Sequence, residues 1–320
     1  MFFNDRVNQR KKHGFALVAV LWGIVVLSLI MMAFSVDTRI EVKMARNTIE
    51  HTQMRAVADG GIEIAIYFLL NSNPKKRWLP NGAFHEVKID NINLRINVQD
   101  EGGKIDLNMA SKALLQKFFS SLHADLEIDP SLADAIMDWR ENNDQKQLNN
   151  AEDPGYRERG SAYGAKHAPF ESVKELRLVQ GMTDEIYDVI NPVVTVYSQR
   201  AEPDKKTAPV KVLRSLSDLS EIELRKILAD RELSIESDEQ SLESNVGIYR
   251  IQSEAKGETG VSFSRYAIVR LTSAKENPFW IYEIGRSEIM KPDDSGHMDT
   301  PLTPGENGWK IQPRLGPGHF

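Results

Sequence analysis

Between Phe15 and Phe34 the chain runs for twenty residues without a charge, FALVAVLWGIVVLSLIMMAF. As an α-helix, twenty residues cover ~30 Å, the thickness of the hydrocarbon layer of a bilayer. The run is longer than the apolar core of a cleavable secretory signal. Behind it, Ser35-Val36-Asp37-Thr38 is a poor small-residue cleavage site. A membrane span over 15–34 that stays on the protein is therefore expected. Arg6, Arg10, Lys11 and Lys12 precede it against Asp5 alone. Such a basic flank stays cytoplasmic, so the C-terminal body is expected on the far side of the membrane. Hydropathy alone fits an ordinary signal anchor equally well.

Charge is divided unevenly. The formal net charge is −6, yet residues 1–14 carry +3, which leaves −9 on the rest. An acidic body argues against a broad electrostatic grip on nucleic acid. With no cysteine in the sequence, disulfides, thiolate metal sites and cysteine nucleophiles are excluded. The seven histidines form no H-x-x-x-H pair, and no G-x-S-x-G occurs, which removes the zinc-protease and serine-hydrolase patterns. Gly102-Gly103-Lys104 lacks the upstream glycine of a phosphate-binding loop. Trp139 reads as a packing aromatic.

No proline occurs before Pro74, so residues 15–70 can form one helix of roughly 80 Å. Ile62, Ala65, Ile66 and Leu69 recur at helical spacing and offer an apolar stripe to a following sheet. Gly60-Gly61 reads as a weak point and a possible kink. Strands follow: Phe84, Val87 and Ile89, a turn at Asp90-Asn91, then strict alternation at Ile92, Leu94, Ile96 and Val98. From Leu107 to Val196 helical segments take over, at 111–122, 131–141, 172–179 and 184–191. Ser131 and Thr183 stand as caps for the second and fourth. Residues 199–210 read as an exposed linker, followed by a helix capped by Ser217 or Asp218. The acidic stretch 231–245 reads as a loop. Alternation returns near 248–255 and 261–271 around Gly257-Glu258-Thr259-Gly260, with an edge strand from Phe279 to Ile284. From Gly285 on no periodicity survives, and disorder is expected.

Residues 138–153, DWRENNDQKQLNNAED, concentrate carboxylates and amides. Hard cations such as Ca²⁺ take six to eight oxygen ligands from such groups. The spacing is not that of an EF-hand, and a solvated polar loop fits the composition as well.

Several of these features resemble the minor pseudopilin K family of type II secretion systems. Arg10-Lys11-Lys12-His13-Gly14-Phe15 looks like a type IV prepilin leader, cut by prepilin peptidase between Gly14 and Phe15. Ala19 stands where most pilins carry Glu, and pseudopilin K is the member that lacks it. Gly102-Lys104-Ile105-Asp106-Leu107-Asn108 with Ala110-Ser111 resembles the family's entry into its α-domain. Asp138-Trp139 with Asn150-Ala151-Glu152-Asp153 and Tyr156 resembles its loop, the stretch Phe170 to Met182 its most recognisable run, and Pro192 to Val196 its exit. The resemblance implies an α+β fold, in which a pilin-like domain of long N-terminal helix and antiparallel sheet carries a large inserted all-α domain with helix-hairpin-helix-like elements. The implied division is a leader at 1–14, a helix at 15–70, sheet at 71–106, the inserted domain at 107–196, linker, helix and loop at 197–245, sheet at 246–285 and a tail at 286–320.

It further implies a non-catalytic subunit at the tip of the pseudopilus that initiates assembly for protein export. That subunit is anchored in the inner membrane by a single pass, N-terminus cytoplasmic and body periplasmic, with Phe15 as the N-methylated mature terminus. Implied partners are minor pseudopilins I and J, major pseudopilin G and prepilin peptidase, with no nucleic acid. The implied cofactor is calcium, on Glu141, Asn143, Asp144, Glu152 and Asp153. Two other readings stay open: a minor pilin of a type IV pilus, and a membrane-anchored DNA receptor. The second rests on residues 104–118 and 170–196, which resemble paired helix-hairpin-helix motifs. Of the expected turns, Ser120-Ser121-Leu122-His123 has no glycine and the other keeps only Gly181.

Overall fold

A computed structural model describes residues 13–73, 76–122, 126–141, 164–216, 220, 222–228 and 246–287. The chain divides into two compact units, Met1–Met54 and Arg55–Phe320. Helix α1, His13–Leu69, begins in the first and ends in the second.

In the first unit the segment Phe15–Met32 has a mean hydropathy of 2.7 and no buried residue. Beyond it Arg46 pairs with Glu50 at 3.3 Å, one turn on, and Thr48 and Thr52 donate their hydroxyls to the carbonyls of Met44 and Thr48. These are the contacts of a solvated helix surface.

The second unit is built on a five-stranded antiparallel sheet. Its strands are β1 (Asn81–Ile89), β2 (Ile92–Asp100), β5 (Gly247–Lys256), β6 (Ser262–Leu271) and β7 (Phe279–Arg286), and that is also their spatial order. The alternation seen in the sequence sets one face: Leu94 opposite Ala255, Val98 opposite Ile251, Ile251 opposite Ala267, Tyr249 opposite Val269. This face receives the C-terminal turns of α1, whose Ala58, Ile62, Ala65, Ile66 and Leu69 are buried. Asp59 reaches Arg265 at 2.6 Å across the same seam. Gly60-Gly61 does not interrupt the helix. A Cβ on Gly61 would overlap the Ser253 hydroxyl and come within 3.2 Å of Leu94 Cδ1, so this glycine lets the helix backbone approach the sheet. Gly285 acts similarly from within β7, since a side chain there would meet the Tyr266 ring at 2.6 Å. The last strand thus runs through Arg286, past the expected end of order at Gly285.

β2 pairs directly with β5, so everything between them is an insertion into an unbroken sheet. It is not wholly helical. Where the chain enters and leaves, β3 (Ile105–Asp106) and β4 (Val194–Thr195) lie parallel, Ile105 N donating to Val193 O and Leu107 N to Thr195 O. Between them stand α2 (Lys112–Leu122), α3 (Leu132–Arg140) and α4 (Asp184–Ile190). α2 matches the helix expected over 111–122 and runs through Ser120, Ser121 and Leu122, where the DNA-receptor reading needs a turn. Residues Val173–Leu178 form a 3-10 helix between the Ser172/Glu175 capping box and Gly181, whose φ is +83°. Val173, Leu176 and Val179 are all buried. Their spacing of three puts them on one face of a 3-10 helix, whereas an α-helix would rotate them apart.

Caps differ in part from expectation. Thr183 accepts from Ile186 N as foreseen, but Ser131 makes no side-chain cap, and Asp129 accepts its N–H instead. The helix at 222–228 is capped by Ser220, whose hydroxyl and N–H both meet Glu223 Oε2. The proposed caps Ser217 and Asp218 lie outside the described residues. Segment 199–210 is pinned rather than free: Asp204 N donates to Gly102 O, and Ala208 is fully buried. It leads into a further helix, α5 (Val210–Leu216), with Val212 and Leu213 in the same core as Phe118, Ile136, Trp139, Leu176 and Ile190.

Candidate functional site

Three places carry the residues singled out in the sequence. The first is the head of α1, where Gly14 and Phe15 lie in its first turn and Phe15 is 81% exposed. Leu17, Val18, Val20, Leu21 and Trp22 are exposed with it. Exposed apolar side chains on every face of a helix suit hydrocarbon or other apolar helices, not water.

The second is the acidic loop. Glu141 ends α3, its N–H donating to Met137 O, and is exposed. It shares a shallow groove with Asp134 and Asp138, and Asp134 is held by Lys112 at 2.5 Å. Asn143, Asp144, Glu152 and Asp153 lie outside the described residues. Among the described residues no three acidic or histidine side chains converge as a metal site would require. The donor chemistry of the five, carboxylates and an amide oxygen, suits a hard cation.

The third is the base of the insertion, where most of the motif residues meet. Asp106 is 1% exposed. Its Oδ1 accepts Asn108 N at 2.8 Å and Met109 N at 3.2 Å, while its Oδ2 accepts Ser198 Oγ at 3.0 Å and Gln199 N at 2.8 Å. One carboxylate thus ties the entering strand to the segment that leaves. Asn108 and Phe170 exchange reciprocal bonds, and Arg140 donates to the carbonyls of Leu107 and Ala110. Trp139 is buried as a packing aromatic, stacked on Phe170 with Nε1 directed at Glu175.

Beside this staple lies a buried charge cluster that the sequence reading missed. Glu101 and Lys104 are 0% and 1% exposed and 2.6 Å apart, and Arg250 reaches the same Glu101 oxygen at 3.3 Å. Burial would raise the Glu101 pKa, but the Lys104 and Arg250 charges outweigh it and hold it below the usual carboxylate range. Burial pushes Lys104 down to about 8 against the pull of Glu101. Only the Gly102-Lys104 motif signalled this pair, and Arg250 is too distant in sequence to be joined to it. Gly103 is needed because a Cβ there would stand 2.5 Å from the Thr207 backbone.

A second carboxylate fastens the insertion to the sheet. Glu283 of β7 accepts Tyr266 Oη at 2.5 Å and Tyr197 Oη at 3.0 Å, with Lys174 Nζ at 3.5 Å. Burial opposes its ionisation, and these donors overcome that and lower its pKa.

Residues 91–199, from β2 through β4, match the family model for type II secretion system protein K. The staple and the insertion as far as Gln199 fall within that match. This central segment is similar to the type II secretion protein K family. The type II secretion system protein K of Pseudomonas aeruginosa is 26% identical over 233 residues, covering 66% of this chain and 70% of that protein. A chain of the GspK-GspI-GspJ complex from the enterotoxigenic Escherichia coli type 2 secretion system shares the fold at a TM-score of 0.51, with 16% identity. That match covers 77% of this chain and 99% of the other. The protein K family is a structural component of secretion, and a minor pseudopilin role is what these likenesses support. The described residues include one helix long and apolar enough for a membrane anchor, at the N-terminus.

Proposed function

We propose that this protein is the minor pseudopilin at the tip of a type II secretion pseudopilus, where it starts assembly and supports export across the outer membrane. The observation that carries this reading is the direct pairing of β2 with β5 around a stapled insertion, whose staple lies in the segment similar to protein K. An apolar helix head joined to a body with a bulky insertion can pack laterally with other such helices. On this reading the insertion is too wide for a further subunit to stack on top. Ala19 agrees with this, since a subunit with nothing above it has no neighbouring terminal amine to neutralise.

By the same reading prepilin peptidase cuts between Gly14 and Phe15, and Phe15 becomes the methylated terminus. The helix then sits in the inner membrane with the body in the periplasm. The assembly named for the structural neighbour, GspK with GspI and GspJ, makes minor pseudopilins I and J the expected partners, packed through apolar helix surfaces, with major pseudopilin G below. Intact-mass spectrometry of the membrane protein, with and without the peptidase, tests the class. Loss of residues 1–14 supports it, and an uncut Met1 terminus in the presence of active peptidase refutes it. Co-purification with I and J tests the place in the filament, and retention of G without I or J would sink the tip assignment.

Calcium on Glu141, Asn143, Asp144, Glu152 and Asp153 belongs to this proposal as well. Millimolar Ca²⁺ is expected to raise the melting temperature reversibly to chelation, and no shift would remove the site.

A further inference from the structure

The face of the sheet turned away from α1 carries Asn97, Gln99, Arg250 and Gln252, and the insertion stands over it, fastened at Glu283 and Gln99. Between them lies a cleft of about 710 Å³, within the size range of ligand sites. Its charge is opposite to that of the chain. Six basic side chains and two acidic ones line it, in a protein of net charge −6.

Four of the six have a carboxylate within ion-pair distance. Lys104 and Arg250 share Glu101, Lys174 lies beside Glu283, and Arg177 stacks over Tyr187 with Asp188 at 3.7 Å. Lys211 on α5 and Arg286 on β7, whose guanidinium lies over the Phe263 ring at 5.3 Å, are exposed, and among the described residues neither has a carboxylate within ion-pair distance. The neutral lining is oriented too. Asn97 donates its amide N–H to Gly82 O, Gln99 to Thr207 O and Gln252 to Ser287 Oγ. Among the described residues no donor bonds to any of the three amide oxygens, which can therefore accept. Acceptors from the sheet together with cations from both walls match a chain that offers N–H donors and carboxylates.

We propose that this cleft, between the polar face of the sheet and the inserted block, binds an extended acidic peptide segment. This goes beyond the pseudopilin assignment and does not depend on it: the cleft would bind such a segment in the isolated protein, whatever filament it joins. A nucleic acid would supply phosphates but few N–H donors along its backbone for the three amide oxygens, so it fits the lining less well.

The test uses the full chain in a nonionic detergent, titrated against a fluorescein-labelled hexaglutamate peptide and followed by anisotropy. Hexalysine and tripolyphosphate serve as the other probes. Saturable binding of hexaglutamate is expected, with none of hexalysine. The exposed pair Lys211→Gln with Arg286→Gln should weaken it about tenfold, as should a rise in salt across the range that screens surface charge. The melting temperature of the pair variant should equal that of the parent, which separates lost binding from lost fold. Absence of saturable hexaglutamate binding overturns the proposal, as does affinity unchanged in the pair variant. Tripolyphosphate binding as tight as hexaglutamate would also overturn it, because that would make the cleft a site for phosphate rather than peptide.

Discussion

Replacing Asp106 with Ala should loosen the base of the insertion. The carboxylate is 1% exposed and accepts four hydrogen bonds, two from each of the segments it joins. In Asp106→Ala the amides of Asn108, Met109 and Gln199 lose a charged acceptor that is itself buried, although Met109 and Gln199 are exposed. Each net bond is worth ~1 kcal/mol, more where the acceptor is charged, so the loss amounts to about 4 kcal/mol. For a unit of this size that corresponds to a fall of about 10 °C in melting temperature. Asp106→Asn keeps one acceptor oxygen and should lose about half as much. Thermal unfolding of the full chain in detergent gives the global figure. Amide hydrogen exchange gives the local one, with protection at 108, 109 and 199 falling before that of β5 and β6. If Asp106→Ala melts within about 2 °C of the parent and keeps that protection, the staple is not what holds the insertion closed.

Three further outcomes follow from the packing. Gly61→Ala should destabilise by about 1–2 kcal/mol despite its better helix propensity, because its Cβ meets Ser253. Adding Ser253→Ala should remove that penalty, and a double-mutant cycle with no coupling would contradict the contact. Glu101→Gln should cost about 3–5 kcal/mol by leaving Lys104 buried beside Arg250, more than Lys104→Met, which leaves Glu101 its Arg250 partner. Urea midpoints in the reverse order would refute this. His85 is stacked on Trp78 at 3.8 Å with Nε2 unbonded, and burial lowers its pKa from 6.5 to about 4. Its neutral form is the folded form, so this contribution to stability is complete above pH ~6.5 and is lost as the pH falls toward 4, by at most ~3 kcal/mol. His85→Phe should flatten that part of the stability profile, and an unchanged slope would assign it to other groups.

What the sequence determined by itself were the features that repeat along the chain or stand at one place in it. The twenty uncharged residues demand an apolar environment wherever the body sits, because no helix face among them is polar. The alternation in β2, β5 and β6 fixed which residues face α1, since a strand has only two faces. Thr183 acts within three residues, so its cap could be read without knowing the fold.

What only the tertiary structure decided were contacts between distant segments. Asp106 bonds to Ser198 and Gln199 across 92 and 93 residues, and Arg250 reaches Glu101 across 149. No local pattern records which chain returns beside which. For the same reason residues 199–210 looked like a linker: their polar composition is that of an exposed loop, yet Gly103 leaves a gap that their backbone fills. Gly61 read as a flaw in a helix because propensity counts only the helix, whereas its reason is Ser253 on a strand nearly two hundred residues away. The cationic cleft could not be seen in an acidic sequence at all. Its charges come from six places along the chain, and it is the closing of the sheet around the insertion that gathers them.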